Sequence, residues 1–587
     1  MLKLGFVVIF AVATVIYAAP NKHKPQFSHL NFLDVLQQLD IKHEKVETAE
    51  QFEDVIATLP DGGQLLGQKK SLSLLSSYYS FKGIPYGEPP VGDLRFRAPV
   101  AHKGWSGIRN ATSHGNDCVQ PGTLYGTNGD EDCLYLNVYT PNLTPKEKYA
   151  VMVWIHGGSF TSGSGSTTFY GPEPLVSENI ILVTINYRLG FLGFFSTDDK
   201  YASGNYGLKD AVLALKWVQK NIEAFGGDPE KVTIFGESAG SCLVNYLVLS
   251  PLTRGLFRSA ISQSGTVLSP WALQEEPRAR AFEVAAKMGI QASTSQELVA
   301  ELRKIEDATI FAKMTPGWLD LPVPRGMDGG FFFAPTIDPK DSDEPIFLPD
   351  HPIAMMKKGD FNHVPYIVGS NSHESLFGIR ELIVDPFLFT KFNRNPHLLI
   401  PFEWDIESTS PEAYSIIQQI KDVYFKGGDV EDKMDYVNYA SDRHFHWGVY
   451  KVTELMSATS NRNIYSYVFS FDGDMNYVKR GLLLGDYEGA MHADEIPYFF
   501  RLFGVPAPIL PGNPALTVRQ RLTKMWTDFA KTSNPTPVVT SLVTTNWKPV
   551  GANHEYLSID AELEAREQPF EQRMKLWQEL DAKYTKH

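Results

Sequence analysis

The sequence predicts an α/β fold in which a large, mixed but mostly parallel central sheet is flanked by helices on both faces. Three observations carry that prediction. Short apolar runs of strand length alternate with segments of helical periodicity, the pattern of βαβ units. Several of those runs are apolar at every position, as strands covered on both faces are. The chain has 587 residues, of which 43% are hydrophobic and 12% aromatic, enough to bury one large core.

The elements follow in chain order. Lys3 precedes an apolar run, Leu4 to Ala19, that ends in small residues, the pattern of a secretory signal. Residues 1–18 are read as that signal, with cleavage near Ala18, because Pro20 disfavours a cut directly before it. The run is short for a membrane span, no later run reaches spanning length, and the charged C-terminus lacks a lipid-anchor tail. No membrane anchor is expected. Residues 19–55 read as a polar extension, with Leu30, Leu33, Leu36 and Leu39 at the spacing of a short amphipathic helix. Residues 56–587 read as one domain, since neither a repeat nor a low-complexity linker divides them.

Tyr78 to Phe96 has strand character followed by Gly/Pro turns, and the β-rich reading extends to Tyr149. Val151 to Ile155 is fit for a buried strand and ends in His156-Gly157-Gly158-Ser159-Phe160. Ile180 to Tyr187 is another. Leu208, Ala211, Val212, Leu215, Val218 and Ile222 recur at helical spacing before Gly226-Gly227. Val232 to Phe235 then runs as a strand into Gly236-Glu237-Ser238-Ala239-Gly240, with an apolar helical segment up to Pro251. Ala260 to Ser262 is the next strand. Residues 270 to 330 read as a helical lid or insertion over the sheet. Tyr366 to Gly369 is a strand leading to Ser370-Asn371-Ser372-His373-Glu374. Residues 375 to 460 read as helices with aromatic faces. Ile464 to Phe471 is a late strand, and the polar loop Gly489 to Glu495 carries His492.

The formal net charge of −14 leaves no electrostatic footprint for nucleic acid. Among three cysteines, Cys118 and Cys133 lie in a Gly- and Asn-rich segment that suits a disulfide-closed loop in an oxidising compartment. Cys242 sits in the apolar helix after Ser238 and reads as a buried free thiol. No Cys or His spacing suggests a metal. Asn110-Ala111-Thr112 and Asn142-Leu143-Thr144 are glycosylation acceptors.

The stretch around Ser238 carries the chemistry. A strand, a turn too tight for Cβ atoms at either flank, and a helix place a serine oxygen at a helix N-terminus, where backbone N–H groups stabilise an anion. Serine is a poor nucleophile unless a base takes its proton, and the base needs an acid on its other ring nitrogen. Glu374 and His492 each sit in a loop just after a predicted strand, at the carboxyl edge where such sheets place their sites. Asp338 and Asp360 compete as the acid by order alone. His444 and His446, in an aromatic helical stretch, read as packing. Glu374, Asp494 and Glu495 are expected to raise the pKa of a base at His492.

The chain resembles the type-B carboxylesterase/lipase family, the cholinesterase-like branch of the α/β-hydrolase fold, and looks closest to secreted insect carboxylesterases. The resemblance rests on Phe81 to Gly87, Glu131 to Asn137, His156 to Phe160, Asn186-Tyr187-Arg188, Gly204 to Leu208, Phe225 to Pro229 and Gly236 to Gly240. It implies Ser238 as nucleophile, Glu374 as acid and His492 as base, in the family's order. It further implies an oxyanion hole from the N–H groups of Gly158, Ser159 and Ala239, a Cys118–Cys133 bridge, and no cofactor. The chain departs from the pattern in three places. Ser159 stands where the family usually has glycine, and its side chain is expected to narrow the site. Residues 119 to 132 hold no Trp on which a choline group would stack. Glu237 stands where juvenile hormone esterases usually have Gln.

The expectation is a secreted serine carboxylesterase acting on uncharged, lipophilic small-molecule esters through an acyl-enzyme, with Phe160 and Phe331-Phe332-Phe333 as apolar wall candidates. Two other classes stay open: a slow-turnover protein that sequesters ester ligands, and a partner-binding relative that kept the site by inheritance. Steady turnover of a chromogenic ester separates the first from both.

Overall fold

The computed structural model describes residues 53–73, 76–121, 129–314, 333–384, 387–503 and 509–586. The signal, most of the N-terminal extension with its leucines, and Phe331 and Phe332 lie outside them. Thirteen strands of the described residues form one sheet. In chain order they are β1 (Glu53–Thr58), β2 (Gln64–Ser71), β3 (Ser77–Pro85), β4 (Ile108–Asn110), β5 (Tyr135–Thr140), β6 (Tyr149–Ile155) and β7 (Ile181–Ile185). Then come β8 (Gly227–Glu237), β9 (Ser259–Gln263), β10 (Tyr366–Asn371), β11 (Ile464–Phe469), β12 (Tyr556–Ile559) and β13 (Leu563–Arg566). The sheet begins at Glu53, ahead of the boundary at residue 56. The late strand stops at Phe469, two residues short of its predicted end.

The spatial order is β1-β2-β3-β5-β7-β6-β8-β9-β10-β11-β12-β13, with β4 on β2. The run from β7 to β12 is parallel throughout, and the antiparallel pairs lie toward the two edges. This is the predicted mixed, mostly parallel sheet. Its central strands are apolar throughout because both faces are covered: every residue of Ala150–Ile155 and Ile181–Ile185 is buried.

One face carries the helices Tyr206–Asn221 and Ala239–Leu249, with Leu208, Leu215, Val218, Leu243 and Leu247 fully buried. The first gives way to a 3₁₀ turn, Ile222–Phe225, and ends at Gly226, whose φ of 81° is the left-handed cap that glycine adopts without strain. The other face carries Pro514–Thr532, which presents Met525, Trp526 and Phe529 to Trp154 and its neighbours. Residues 270 to 314 form three helices, Pro277–Lys287, Ser295–Arg303 and Thr309–Lys313. They pack into the main core, where Phe311 meets Phe96 edge-on and Phe191 at a tilt. Phe333 joins the same cluster at 4.8 Å from the Phe191 ring, so it is a core residue and not a wall of the site.

Candidate active site

The sheet order sets the site. Strand β6 lies between β7 and β8, and the carboxyl ends of β6, β8 and β10 open on one edge. Ile155 pairs with Gly236, so the loop after β6 and the turn after β8 leave the sheet side by side. The turn is as tight as the sequence suggests. A Cβ at Gly236 would lie 2.6 Å from the Gly240 carbonyl and from Ile155 O, and one at Gly240 would lie 2.1 Å from Ile155 O. Only glycine fits at either flank. Ser238 sits between them with φ 58° and ψ −125°, a strained conformation for an L-residue. Its N–H donates to Gln263 O over 2.9 Å, which ties the turn to β9. The helix Ala239–Leu249 starts immediately after.

The loop after β6 folds over that turn. A Cβ at Gly157 would meet the Glu237 carbonyl at 2.7 Å and Ser238 Cβ at 3.0 Å. Gly158 adopts φ 109°, and its carbonyl accepts the N–H groups of Thr161 and Ser162, each over 3.0 Å. Ser159 and Phe160 follow with φ near 58°, so Ser159 takes a left-handed conformation despite its Cβ. Among the described residues, the N–H groups of Gly158, Ser159 and Ala239 donate to no protein acceptor. They are the donors assigned to the oxyanion hole, and Ala239 N–H is the orphan of a first helical turn. His156 is not part of this chemistry. It is fully buried and stacked on Tyr187, and burial pushes its pKa down to about 4.

Glu374 opens a 3₁₀ turn three residues past β10 and is fully buried. Its Oε1 accepts the Asn371 N–H over 2.7 Å, and its Oε2 meets His492 Nδ1 at 2.6 Å. The two loops are joined by backbone as well: His492 N–H donates to Glu374 O, and His373 N–H to Ala490 O. Asp494 accepts the N–H groups of Met491 and Lys479 over 2.8 and 3.0 Å. The Lys479 ammonium donates to Tyr487 O and Gly489 O and pairs with Asp472. This scaffold fixes the polar loop that carries His492.

The ring of His492 is 17% exposed, and its Nε2 faces the elbow, 3.1 Å from Glu237 Oε1. Burial by itself would lower its pKa, but the carboxylates of Glu237 and Glu374 override burial, with Glu495 adding to them, and raise it to about 9. Burial likewise raises Glu237, to about 8. The Glu237–His492 pair therefore holds a proton above neutrality. Asp494, expected among the perturbing acids, instead turns its carboxyl toward Met491, Lys479 and Asn476, and Glu237 of the elbow takes the place beside the ring.

Of the competing acids, Asp338 is bonded to Asn205 and Lys209, and Asp360 is an exposed partner of Arg254. Neither touches a histidine of the site. His446, read as packing, is a buried hydrogen-bonding residue. Cys118 and Cys133 are joined by a disulfide, and Cys242 is a buried free thiol. An aromatic run leads from the β6 loop to His492: Phe160 to Trp271 at 6.2 Å, Trp271 to Phe445 at 5.8 Å and Phe445 to His492 at 4.7 Å.

The sequence model of the carboxylesterase family matches residues 53–577. The chain is 36% identical to a juvenile hormone esterase of Tribolium castaneum over 81% of this chain and 83% of that protein. It is 35% identical to a liver carboxylesterase of Sus scrofa, over 81% of this chain and 84% of that one. The crystal structure of a juvenile hormone esterase from Manduca sexta with OTFP covalently attached superposes with a TM-score of 0.80. It covers 90% of this chain and all of that one, at 29% identity.

Proposed function

The chain belongs to the carboxylesterase family and is a carboxylic-ester hydrolase; from that premise we propose that it is a secreted serine esterase of uncharged, lipophilic esters working through an acyl-enzyme. The observation that carries the mechanism is the alignment of Glu374, His492 and the strained elbow at the carboxyl edge of one sheet. Neutral His492 takes the Ser238 hydroxyl proton onto Nε2 while Ser238 Oγ attacks the ester carbonyl. Glu374, 2.6 Å from Nδ1, fixes the tautomer and balances the imidazolium that forms. The tetrahedral oxyanion is received by the N–H groups of Gly158, Ser159 and Ala239, preformed donors that need no reorganisation. The proton on His492 leaves with the alcohol. Water, deprotonated by the same ring, then releases the acid.

Three further features support export. The leader read at residues 1–18 precedes the fold, Cys118 and Cys133 are oxidised, and the glycosylation acceptors Asn110 and Asn142 are exposed. For the substrate, the aromatic run beside His492 and the absence of Trp between the bridged cysteines favour an uncharged ester over a choline ester. A second reading, hydrolysis of juvenile hormone, is favoured by the similarity to the beetle and moth enzymes. The test is steady-state turnover of 4-nitrophenyl butyrate and of juvenile hormone by the purified chain and its Ser238→Ala variant. Sustained turnover lost by on the order of 10⁴-fold or more in the variant is expected. A single burst without turnover would instead point to sequestration.

A further inference from the structure

One buried histidine outside this constellation reaches it through a single residue. The helices Lys433–Ser441 and Trp447–Thr459 are continuous except for one π-helical turn, Asp442–His446. Such single π-turns inside α-helices are rare and occur frequently at functional sites. Here the turn brings Asp442 and His446 together, with Nδ1 donating to Asp442 Oδ1 over 2.7 Å and both side chains buried. The other ring nitrogen, Nε2, donates to the Asn371 carbonyl over 2.8 Å. A carboxylate and a backbone carbonyl both accept, so the ring bridges helix and strand through its two nitrogens.

A buried Asp–His pair holds its geometry only when its remaining polar atoms are satisfied, and the surroundings satisfy them. Asp442 Oδ2 accepts the Tyr424 hydroxyl over 2.6 Å and pairs with Arg573 at 3.1 Å. Trp577 Nε1 donates to Tyr424 Oη, and Phe570 stacks on the His446 ring at 4.3 Å. His373 is another titratable neighbour; burial first, then the adjacent His446, lowers its pKa to about 4. The C-terminal helix Glu571–Tyr584 and its lead-in thus close over this pair.

What His446 grips is the last residue of β10. Asn371 donates its backbone N–H to Glu374 Oε1 over 2.7 Å. Its side-chain amide donates to Met491 O over 2.7 Å and to Glu495 Oε2 over 2.6 Å. One residue therefore holds the acid, the peptide just before His492, and a third carboxylate of the site.

We propose that the Asp442–His446 pair is a positioning device for the reaction: it fixes Asn371, and through Asn371 it sets the Glu374 carboxylate and the His492 loop in register. The inference rests on the roles given above to Ser238, Glu374 and His492. His446 touches no reacting atom, so its loss acts on chemistry without acting on substrate binding.

The experiment compares His446→Leu and His446→Gln with Val452→Ala, a core truncation on the same helix at a fully buried position. Each is measured for melting temperature, kcat, KM and the pH profile of kcat/KM on 4-nitrophenyl butyrate. His446→Leu should lose on the order of 10- to 100-fold in kcat with KM within about twofold, because small displacements of aligned groups cost that much. Its acid limb should move to lower pH, since a carboxylate released from Nδ1 no longer favours the His492 imidazolium. His446→Gln keeps a donor for the Asn371 carbonyl and should retain most of the activity. Val452→Ala should lower the melting temperature and leave kcat and the profile in place. If His446→Leu does not fold, His446→Asn, polar but too short to reach Asn371, is read by the same measures. A folded Leu or Asn variant with wild-type kcat and profile overturns the proposal, as does an equal kcat loss in Val452→Ala. Turnover surviving Ser238→Ala overturns this proposal together with the reading it rests on, whereas inactive Ser238→Ala beside normal His446→Leu overturns this one alone.

Discussion

Replacing Glu237 by Gln should extend activity toward acid pH. The Glu237 side chain is 8% exposed and stands 3.1 Å from the nitrogen of His492 that must exchange a proton with Ser238. Burial opposes charge on His492, yet the neighbouring carboxylates, Glu237 first among them, carry its pKa from 6.5 to about 9. At about 1.4 kcal/mol per tenfold change in acidity, that net rise is worth about 3 kcal/mol. Glu237 is the largest of the influences that raise it, so its removal should lower His492 by on the order of one pH unit, or about 1.4 kcal/mol. The sign follows from the mechanism. Only neutral imidazole accepts the serine proton, so activity is lost as pH falls through the pKa of His492, and lowering that pKa moves the acid limb down. Glutamine keeps the shape of the side chain, so the melting temperature serves as the control for folding. The assay is initial-rate kcat/KM for 4-nitrophenyl butyrate from mildly acidic to alkaline pH. An acid limb that stays put, or moves upward, refutes the claim that Glu237 tunes the base.

Two other predictions follow. Along a series of acyl chains on one alcohol, kcat/KM should climb by up to roughly 0.8 kcal/mol per methylene and then fall where the aromatic run from Phe160 to Phe445 is met. Acetylcholine and butyrylcholine should be poorer than their uncharged isosteres, and a choline ester that beat its isostere would contradict the substrate reading. Peptide mapping without reduction should recover Cys118 linked to Cys133. Cys242 Sγ, which donates to Thr266 O inside the core, should resist alkylation until the chain is denatured. Replacing both bridged cysteines by Ser should cost about 3 kcal/mol of stability for a loop of this length, read from denaturant unfolding.

The parts of this site that sequence conveys are those written in consecutive residues. Val151 to Ile155 reads as a buried strand because both of its faces are covered, and Gly236 and Gly240 read as a tight turn because their Cβ atoms would strike the end of β6. Glu374 could be placed because it follows β10 directly, whereas His492 lies not just after β11 but beyond the further helix Tyr477–Gly481, which the sequence pattern does not announce. Contacts across the sheet edge are not local. Glu237 was visible in the motif, but its reach to His492 depends on how the loop of residues 489–495 crosses the elbow. The role of His446 was hidden for a related reason. Apolar periodicity marks the helix around it as buried, and a single π-helical turn leaves no trace in that periodicity, so the side chain was read as packing. The predicted lid at residues 270 to 330 has helices in its described part, but Phe311 anchors that part to the core around Phe191.

The most direct test of the account is to catch the covalent intermediate. The purified chain is mixed with 4-nitrophenyl acetate, quenched in acid within the first turnovers, digested and mapped by mass. The account predicts an acetyl group on the peptide bearing Ser238 that forms and decays at rates consistent with steady turnover. It should be absent from Ser238→Ala and should accumulate when Glu374→Gln or a His492 variant slows the second step. Full turnover with no acyl adduct on Ser238, or an adduct on another residue that decays at the turnover rate, would contradict it.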